Sequence, residues 1–443
     1  AWSRHKLQLF LMGSNDLLEV IASPSTSAPF EVNVNSGFQR LLGAWTWRGP
    51  DVTVRTAAFV GLDQASTGVG TLKVDSPARS LGLREDIELA LHPAVTLRVG
   101  LDSQLRKQDV RLTTSLPLNY RPFPGGEPER PLQDFTLNVD QLNVAEWQEL
   151  ELRLPWALKL LPSLRLDAFR ANDRFQGALG PRVTVRRDLG AGAVKAAVGM
   201  YSELPLPQDS APLFGNPGLR LQRAIHSSAG FEHRFTDALN VDVTGFWSHR
   251  YDLAAPSTAT ADNGAPLRVE STGLGNAYGL EVFLRHELSR HFFGWLAYTL
   301  SRSQQRNDPT RAWRDTTFDQ RHILTAIAQV RFGNGWEVGG RFRLVTGGPT
   351  TPITGSTFSA DRQAYAAVRG AASSERLPAF HQLDVRVDRI WLFDTWQIGA
   401  YLDVQNVYNR QNANFLRYDY RWRGSTTVPD VPILPTLGVK GVF

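Results

Sequence analysis

LPTLGVKGVF, residues 434–443, ends the chain with alternating apolar and polar positions. Leu437, Val439 and Phe443 are separated by even numbers of residues, so an extended strand places them on one face and Lys440 on the other. A one-sided apolar strand that ends on an aromatic residue is typical of the last strand of an outer-membrane β-barrel. The stretch therefore predicts a chain that crosses a membrane with strands.

The composition agrees with a barrel and excludes several other classes. No apolar run approaches the roughly 18 residues that a spanning helix needs, and the opening AWSRHKLQLF lacks the basic and apolar regions of a signal peptide. The slightly negative mean hydropathy is expected when only alternate strand residues face lipid. The chain has no cysteine, which excludes disulfides, thiolate metal sites and cysteine nucleophiles. Its basic residues are interspersed with acids, so no nucleic-acid partner is predicted.

Apolar and polar residues alternate with a period of two along most of the chain, which predicts about eighteen strands. The predicted fold class is therefore all-β, a transmembrane antiparallel up-and-down β-barrel. The predicted strands are 3–13, 37–49, 52–66, 78–91, 94–113, 141–156, 158–172, 178–189, 192–204, 221–236, 238–253, 270–288, 292–305, 318–333, 335–347, 380–393, 395–410 and 435–443.

The predicted connections alternate strictly between tight turns and long loops. Outer-membrane barrels have short periplasmic turns and longer extracellular loops, so the tight turns are assigned to the periplasmic side. A soluble sandwich has no reason to sort its loops in this way. The long loops rich in Pro, Gly, Ser and Asp are 114–140, 206–220, 254–269, 348–379 and 411–434.

Charges and apolar residues separate by face within the predicted strands. Leu97 and Val99 flank Arg98, and Ala326 lies on the face opposite to Gln329. The alternative is a β-sandwich with one buried face. Many predicted strands are longer than the usual five or six residues of soluble sheets, and aromatic residues crowd the tight turns as an interfacial girdle would. These aromatic residues are Trp47, Trp156, Phe235, Phe293, Phe332, Trp336, Phe393 and Trp396.

Several segments, in the same order, resemble those of one family. In them GNP-x-L precedes an ascending strand, YG-x-E opens another, FDQ-x-H begins a descending strand, and D-x-x-N-x-x-N followed by L-G-x-x-G-x-F ends the barrel. The chain resembles the TonB-dependent outer-membrane receptors, clearly over its last two thirds and only in pattern over residues 1–175. The matching segments are PRVTVRRDLGAGAVKAAVGMYSELP at 181–205, LFGNPGLRLQRAIHSSAGFEHRF at 213–235, GNAYGLEVFLRHELSRHFFGWLAYTLSRS at 275–303, FDQRHILTAIAQVRFGNGWEVGGRFRLVTGGPTTP at 318–352, LDVRVDRIWLF at 383–393, YLDVQNVYNRQN at 401–412 and LPTLGVKGVF at 434–443.

The resemblance implies a barrel of about 22 strands with a plugged lumen. We therefore expect residues 1–443 to be the barrel domain, with the plug, its TonB-contacting box and the first few strands outside this chain. Strand 3–13 is then not expected to pair with strand 435–443 in the closing register of the family.

The function that the resemblance implies is TonB-dependent active uptake of a scarce ligand, such as a ferric siderophore, across the bacterial outer membrane. No enzymatic activity and no cofactor are implied. The implied partners are outer-membrane lipid and lipopolysaccharide, the TonB complex through the plug and box, the barrel assembly machinery with Phe443 as its signal, and a second chain carrying the plug and remaining strands. Two alternatives stay open, a passive porin-like channel and an outer-membrane adhesin or structural receptor.

Loop residues that combine aromatic faces with guanidinium groups are the candidate ligand contacts. Such groups suit planar, anionic ligands through bidentate hydrogen bonds and cation–π contacts. The alternative is that they pack the loops or face lipopolysaccharide. The candidates are Arg311, Trp313 and Arg314 in one loop, Arg362 and Tyr365 in a second, and Arg417, Tyr418, Tyr420, Arg421, Trp422 and Arg423 in a third.

Catalytic and metal-binding signals are weak. The histidines show no HExxH spacing, and His286 and His291 lie near a predicted periplasmic turn. Asp403, Asn406 and Asn409 have residue types that could bind a cation, but their spacing favours hydrogen bonding in a turn and towards the lumen.

Overall fold

In the computed structural model the described residues are 4–22, 30–69, 72–114, 133–171, 173–211, 215–257, 268–360 and 364–443. They form 26 strands and one short helix, α1 Pro207–Ser210. Over these ranges no helix has the length and apolar character needed for a membrane span. The strands are β1 His5–Ala22, β2 Phe30–Arg48, β3 Val52–Val69, β4 Leu72–Asp75, β5 Ala78–His92, β6 Val95–Thr114, β7 Gln133–Leu154, β8 Leu158–Ala171, β9 Arg174–Leu189, β10 Gly192–Glu203, β11 Gln222–Arg234, β12 Leu239–Pro256, β13 Val269–His286, β14 Phe292–Arg306, β15 Arg314–Asp315, β16 His322–Phe332, β17 Trp336–Val345, β18 Pro349–Thr350, β19 Ile353–Ser359, β20 Ala364–Arg369, β21 Glu375–Arg376, β22 Phe380–Leu392, β23 Gln397–Gln405, β24 Ala413–Tyr418, β25 Ser425–Pro429 and β26 Leu434–Val442.

Twenty of these strands form one antiparallel sheet, which includes the short strands β4 and β15. The remaining eighteen long strands pair in chain order, each with the next, as in an up-and-down β-barrel. The predicted fold class and the predicted number of strands are therefore confirmed. Three further two-stranded sheets are separate from this barrel wall, and they are formed by β18 with β21, β19 with β20, and β24 with β25.

The sheet has two edges among the described residues. β1 pairs with β2 alone and β26 pairs with β23 alone, so these two strands do not meet in the register of a closed ring. Their outward side chains are accordingly much more exposed than those of inner strands, with Leu11 at 80% and Leu437 at 80%, compared with 37% for Leu296.

The outer face of the sheet is apolar and the inner face is charged. Ala326 lies opposite Leu296 and Phe342 on the outer face. Gln329, three residues on, points inward, where its amide nitrogen donates to the carboxylate of Glu337 at 2.6 Å. The separation of faces predicted for this strand is therefore correct.

Ion pairs between neighbouring strands neutralise the inner face. Arg98 on β6 contacts Glu88, Glu149 and Glu151 at 2.8, 3.0 and 2.9 Å. Lys195 on β10 forms a similar group with two carboxylates, and Arg341 pairs with Asp384. These charges face away from the apolar outer surface, as the inner wall of a membrane barrel requires.

Some carboxylates depart from this separation of faces. Glu85 on β5 and Glu146 on β7 both lie directly opposite Leu101 of β6, on the apolar outer face. Gln148 donates to Glu146 at 2.9 Å, two residues along β7.

Several predicted boundaries are wrong, most of them at the extracellular ends. β7 begins at Gln133, inside the predicted loop 114–140, and residues 172–173 alone connect β8 with β9. The alternation of short and long connections is therefore not strict. Above the membrane, strands continue to pair without an apolar face, as Ala171 does with Arg174, so periodicity gives no signal there.

The predicted periplasmic aromatic girdle is largely present, with one correction. Phe293 points inward opposite Gln329, and its neighbour Phe292 occupies the outer face instead. A shift of one residue reverses the face of a strand side chain. At the end of the chain, Phe443 is 98% exposed and lies beside Trp396.

Candidate ligand site in the outer loops

Two extracellular loops fold into hairpins of their own. β19 and β20 pair from Ser359 opposite Ala364, and β24 and β25 pair from Tyr418 opposite Ser425. The predicted loops 348–379 and 411–434 therefore contain regular secondary structure, and their hairpins carry aromatic side chains.

The two hairpins meet at an aromatic contact, which we call the hairpin junction and define by Tyr365, Tyr420 and Trp422. The rings of Tyr365 and Tyr420 are 6.0 Å apart and nearly perpendicular. The indole nitrogen of Trp422 donates to the backbone oxygen of Tyr365 at 3.0 Å, across 57 residues of sequence. Phe358 extends the junction on one side, 5.1 Å from Tyr365. Three of the predicted site residues therefore come together.

A tight turn in the second hairpin presents the junction to solvent. The carboxylate of Asp419 accepts hydrogen bonds from the backbone N–H groups of Arg421, Arg423 and Gly424 at 2.9 to 3.0 Å. These hydrogen bonds hold the pKa of Asp419 below its ordinary value, and the bond from the N–H of Arg423 has the largest effect. Trp422 has a positive φ of 57°, which the same turn fixes.

Cationic groups lie beside the exposed aromatic face. The guanidinium carbon of Arg421 is 5.0 Å from the ring centroid of Tyr420, whose side chain is 70% exposed. Arg417 and Arg423 are also exposed on this hairpin. Three arginines against Asp419 give the hairpin an excess of positive charge, which favours an anionic ligand. The ring of Tyr418 packs against that of Trp422, with centroids 5.7 Å apart.

The third predicted group is separate from the junction. Arg306 lies over the ring of Trp313 at 4.6 Å, and Arg314 donates to Asn307 at 2.8 Å, both within one loop. Arg311 is 75% exposed and pairs with Asp308 at 3.5 Å. In the part of the chain that the structure describes, no hydrogen bond, ion pair or ring contact joins these residues to the junction. Arg362, the remaining predicted residue, lies outside the described residues.

A buried ion-pair group, which the sequence analysis missed, ties two loops to the rim. The carboxylate of Asp319 is fully buried and contacts Arg321 and Arg376, while the N–H of Ser303 donates to it at 2.5 Å. Arg376 also contacts Asp315 at 3.1 Å. We call these four side chains, Asp315, Asp319, Arg321 and Arg376, the rim latch. The FDQ-x-H motif was the available signal, since it contains Asp319 and Arg321.

Electrostatics favour the charged form of the latch. Burial works to raise the pKa of Asp319, but the hydrogen bond from Ser303 and the guanidinium groups of Arg321 and Arg376 outweigh it, so the pKa lies below its ordinary value. Burial also works to raise the pKa of Asp315, but the guanidinium groups of Arg321 and Arg302 outweigh it, so this pKa too is lowered. The latch is therefore fully ionised at neutral pH.

Two buried asparagines anchor the last loop. Asn406, with a φ of 52°, donates to the backbone oxygens of Arg410 and Val431, and accepts from the N–H of Arg410 at 2.9 Å. Asn412 exchanges two hydrogen bonds with the backbone of His381. The D-x-x-N-x-x-N motif thus serves turn formation, as predicted. Across the described residues no group of three or more His, Cys, Asp or Glu side chains is placed to hold a metal ion.

Comparison with known proteins agrees with this architecture. The sequence model of the family described as TonB dependent receptor-like, beta-barrel matches residues 25–426. No curated protein matches the chain.

Solved structures of similar fold include three bacterial proteins, two of them named as an iron transporter and an import receptor. The FrpB iron transporter from Neisseria meningitidis (F3-3 variant) has a TM-score of 0.70 and 15% identity, covering 100% of this chain and 70% of that one. The ferric-catecholate import receptor Fiu from E. coli K12 has a TM-score of 0.68 and 11% identity, with coverage of 99% and 72%. FpvA from P. aeruginosa, bound to heterologous pyoverdines, has a TM-score of 0.68 and 11% identity, with coverage of 98% and 65%.

These likenesses in structure show the fold, and the family match over most of the chain shows the membership. The family consists of outer-membrane transporters and not of enzymes. With its apolar outer wall, charged inner wall and hairpin-bearing loops, the chain belongs to the TonB-dependent receptor family of the bacterial outer membrane.

Proposed function

We propose that this receptor takes up an anionic iron chelate of the ferric siderophore class, and that the hairpin junction makes the first contact with it. The observation that carries the proposal is the meeting of Tyr365, Tyr420 and Trp422 from two separate loops. Packing of the loops alone does not explain this aromatic surface, because the side chain of Tyr420 remains 70% exposed.

The chemistry of the junction suits a planar, negatively charged ligand. The exposed ring of Tyr420 offers a stacking face, and the guanidinium of Arg421 beside it offers charge-assisted hydrogen bonds. Arg417 supplies a further cation on the same hairpin. Arg311, Trp313 and Arg314 form a second group that we propose as a later contact, since they lie on a different loop.

The names of the structural neighbours are consistent with this ligand class. One is an iron transporter, one a ferric-catecholate import receptor, and one is solved with pyoverdine and iron. Those ligands belong to those proteins, and iron is what they share; a ferric chelate is what we propose for this chain.

We further propose that residues 1–443 act as the barrel domain and that a plug and the remaining strands come from sequence outside this chain or from a second chain. The unpaired edges of β1 and β26 support this proposal, because an open edge in lipid leaves backbone groups without partners. TonB then acts on the plug, the barrel assembly machinery inserts the wall, and lipopolysaccharide surrounds it.

Uptake of radioactive iron supplied as a ferric tris-catecholate siderophore tests the proposal in cells that produce the protein. Replacing Tyr420 and Trp422 with alanine should reduce uptake about tenfold or more at low ligand concentration, since two contacts are lost. Phe318→Ala is the matched control, because that ring is 88% exposed at the same rim and outside the junction.

The same assay separates the alternatives. Uptake that persists unchanged in a TonB-deficient strain would favour a passive channel. Binding without uptake in a TonB-proficient strain would favour an adhesin or structural receptor. Equal uptake by the control and the double variant would overturn the assignment of the ligand to the junction.

A further inference from the structure

An apolar patch lies on the inner face of the wall, at the extracellular ends of β4, β6 and β7. On β6, Val110 and Leu112 continue at even spacing the inner row that contains Arg98. Leu137 of β7 lies opposite Val110, and Val74 of β4 lies opposite Leu112. We call Val74, Val110, Leu112 and Leu137 the mouth patch. It is an exception to the charged inner face, because apolar side chains here border the lumen.

The outer face at the same level is polar. Lys107, Asp109 and Arg111 alternate with the patch residues along β6, and all three are exposed. The two faces are therefore the reverse of their arrangement within the membrane, where lipid selects an apolar exterior. Contact with lipid does not explain the mouth patch, and an apolar surface beside an aqueous lumen is typical of a binding site.

The connection between β10 and β11 covers the mouth patch. Pro207 and Gln208 of α1 line, together with the patch, a cavity of about 490 Å³. Arg174 of β9 holds the later part of this connection, since its Nη1 donates to the backbone oxygens of Pro217 and Leu219, both at 2.8 Å. The cavity is thus enclosed between the patch and α1, and its volume is typical of small-molecule sites.

A cation without a counter-ion lies at the periplasmic end of this cavity. Arg106 lines the cavity and precedes Val110 in the same inner row. Its Nε is buried without a hydrogen-bond partner, and within the described residues its guanidinium group makes no ion pair. By contrast, Arg98 in the same row contacts three carboxylates. Directly opposite Arg106, the buried hydroxyl of Ser80 also lacks a partner. A ligand anion beside Arg106 would supply the missing partner.

We propose that the ligand of this receptor is amphiphilic, a ferric chelate that carries an aliphatic acyl chain, and that the chain binds in this cavity with an anionic group beside Arg106. Transfer of methylene groups from water onto Val110, Leu112 and Leu137 is favourable. A chelate without a chain leaves the mouth patch in contact with water. The inference rests on the proposed function, since it names the class of chelate that the receptor accepts.

Binding of radioactive iron to intact cells at low temperature tests the inference. The probes are a ferric tris-catecholate and the same chelate with a decanoyl chain, each titrated on cells that produce the protein. Binding to cells without the protein is subtracted, because an acyl chain also enters lipid. The acylated chelate should bind about tenfold more tightly than the plain one. Leu137→Asn and Arg106→Gln should each remove most of this difference and leave binding of the plain chelate unchanged.

Leu161→Asn and Arg343→Gln are the matched controls. Leu161 lies on the inner face of β8 near its periplasmic end, and Arg343 lies on the inner face of β17, opposite Gln382. Both variants should keep the full preference for the acylated chelate. An equal loss of preference in these variants and in Leu137→Asn would overturn the inference.

Three further outcomes separate this inference from the proposed function. Equal affinity of the two chelates would overturn the inference and leave the proposed function intact. Binding of neither chelate would overturn both. Free decanoate that displaces the acylated chelate as well as the unlabelled acylated chelate does would indicate a fatty-acid site and would also overturn the inference. Heat-modifiable migration on gels verifies folding, and Val74→Asn takes the place of Leu137→Asn if that variant does not fold.

Discussion

The ring of Phe443 stacks beside that of Trp396, with centroids 6.4 Å apart and planes inclined by 18°. Trp396 stacks in turn on Phe393 at 4.1 Å, so the end of the chain joins the aromatic girdle of the last periplasmic turn. Phe443→Ala should lower the amount of folded barrel in outer membranes several-fold, because it removes both the terminal aromatic residue and a ring pair worth about 0.5–1.5 kcal/mol. Quantitative blotting of membrane fractions measures this, with Val442→Ala, on the opposite face, as the control. Equal membrane levels of the two variants would contradict the role of Phe443 in assembly.

The assigned orientation predicts where proteases reach the protein in intact cells. Added protease should cut the connections between β6 and β7, between β17 and β22 and between β23 and β26, and should spare the turn Gly333–Gly335. That turn is tight, with positive φ at Asn334 and Gly335, and it faces the periplasm in this assignment. Fragment mapping by mass spectrometry gives the cut sites. Cleavage at Gly333–Gly335 in unbroken cells would show that the assigned orientation is reversed.

The facing of β16 predicts a difference between two arginine substitutions. Ala326→Arg places a charge on the lipid side between Leu296 and Phe342, and should destabilise the barrel by about 2–4 kcal/mol. Gln329→Arg should be tolerated, since the inner side chain at this position contacts Glu337. Urea unfolding from lipid vesicles measures both. Similar losses for the two variants would mean that the faces are reversed.

The rim latch predicts a loop that loosens in acid. Because the pKa values of Asp315 and Asp319 are lowered by folding, the latch contributes its full stability above the ordinary aspartate pKa of about 3.9 and loses it as pH falls through the folded-state values. A spin label at position 373 should therefore become more mobile below roughly pH 4. Arg376→Gln should give that mobility at neutral pH, whereas Arg369→Gln, on the exposed hairpin, should not. Equal mobility of the label at neutral pH in the unaltered protein and in the Arg376→Gln and Arg369→Gln variants would show that the rim latch does not hold this loop.

Sequence alone predicted the wall far better than its rim. Within the membrane, one face of each strand meets lipid and the other meets the aqueous lumen, which imposes a period of two on the sequence. The faces of Ala326 and Gln329 therefore follow directly from the sequence. Above the membrane that constraint disappears, and the start of β7 at Gln133 carried no signal. The hairpin junction depends on a contact between Tyr365 and Tyr420, which only the assembled loops create.

The pairing of each long strand with its chain neighbour has a kinetic consequence. Each contact between the long strands of the wall joins strands that are neighbours in the chain, so the two paired residues are never further apart in sequence than one hairpin, and less chain entropy is lost before each contact forms than in a topology with distant pairings. Such a wall can enter the bilayer one hairpin at a time. The seam between β1 and β26 is different, since its completion requires partners distant in sequence and must come last. Assembly of the receptor should therefore pause with this seam open, and the lifetime of that intermediate sets the interval in which further strands can still be added.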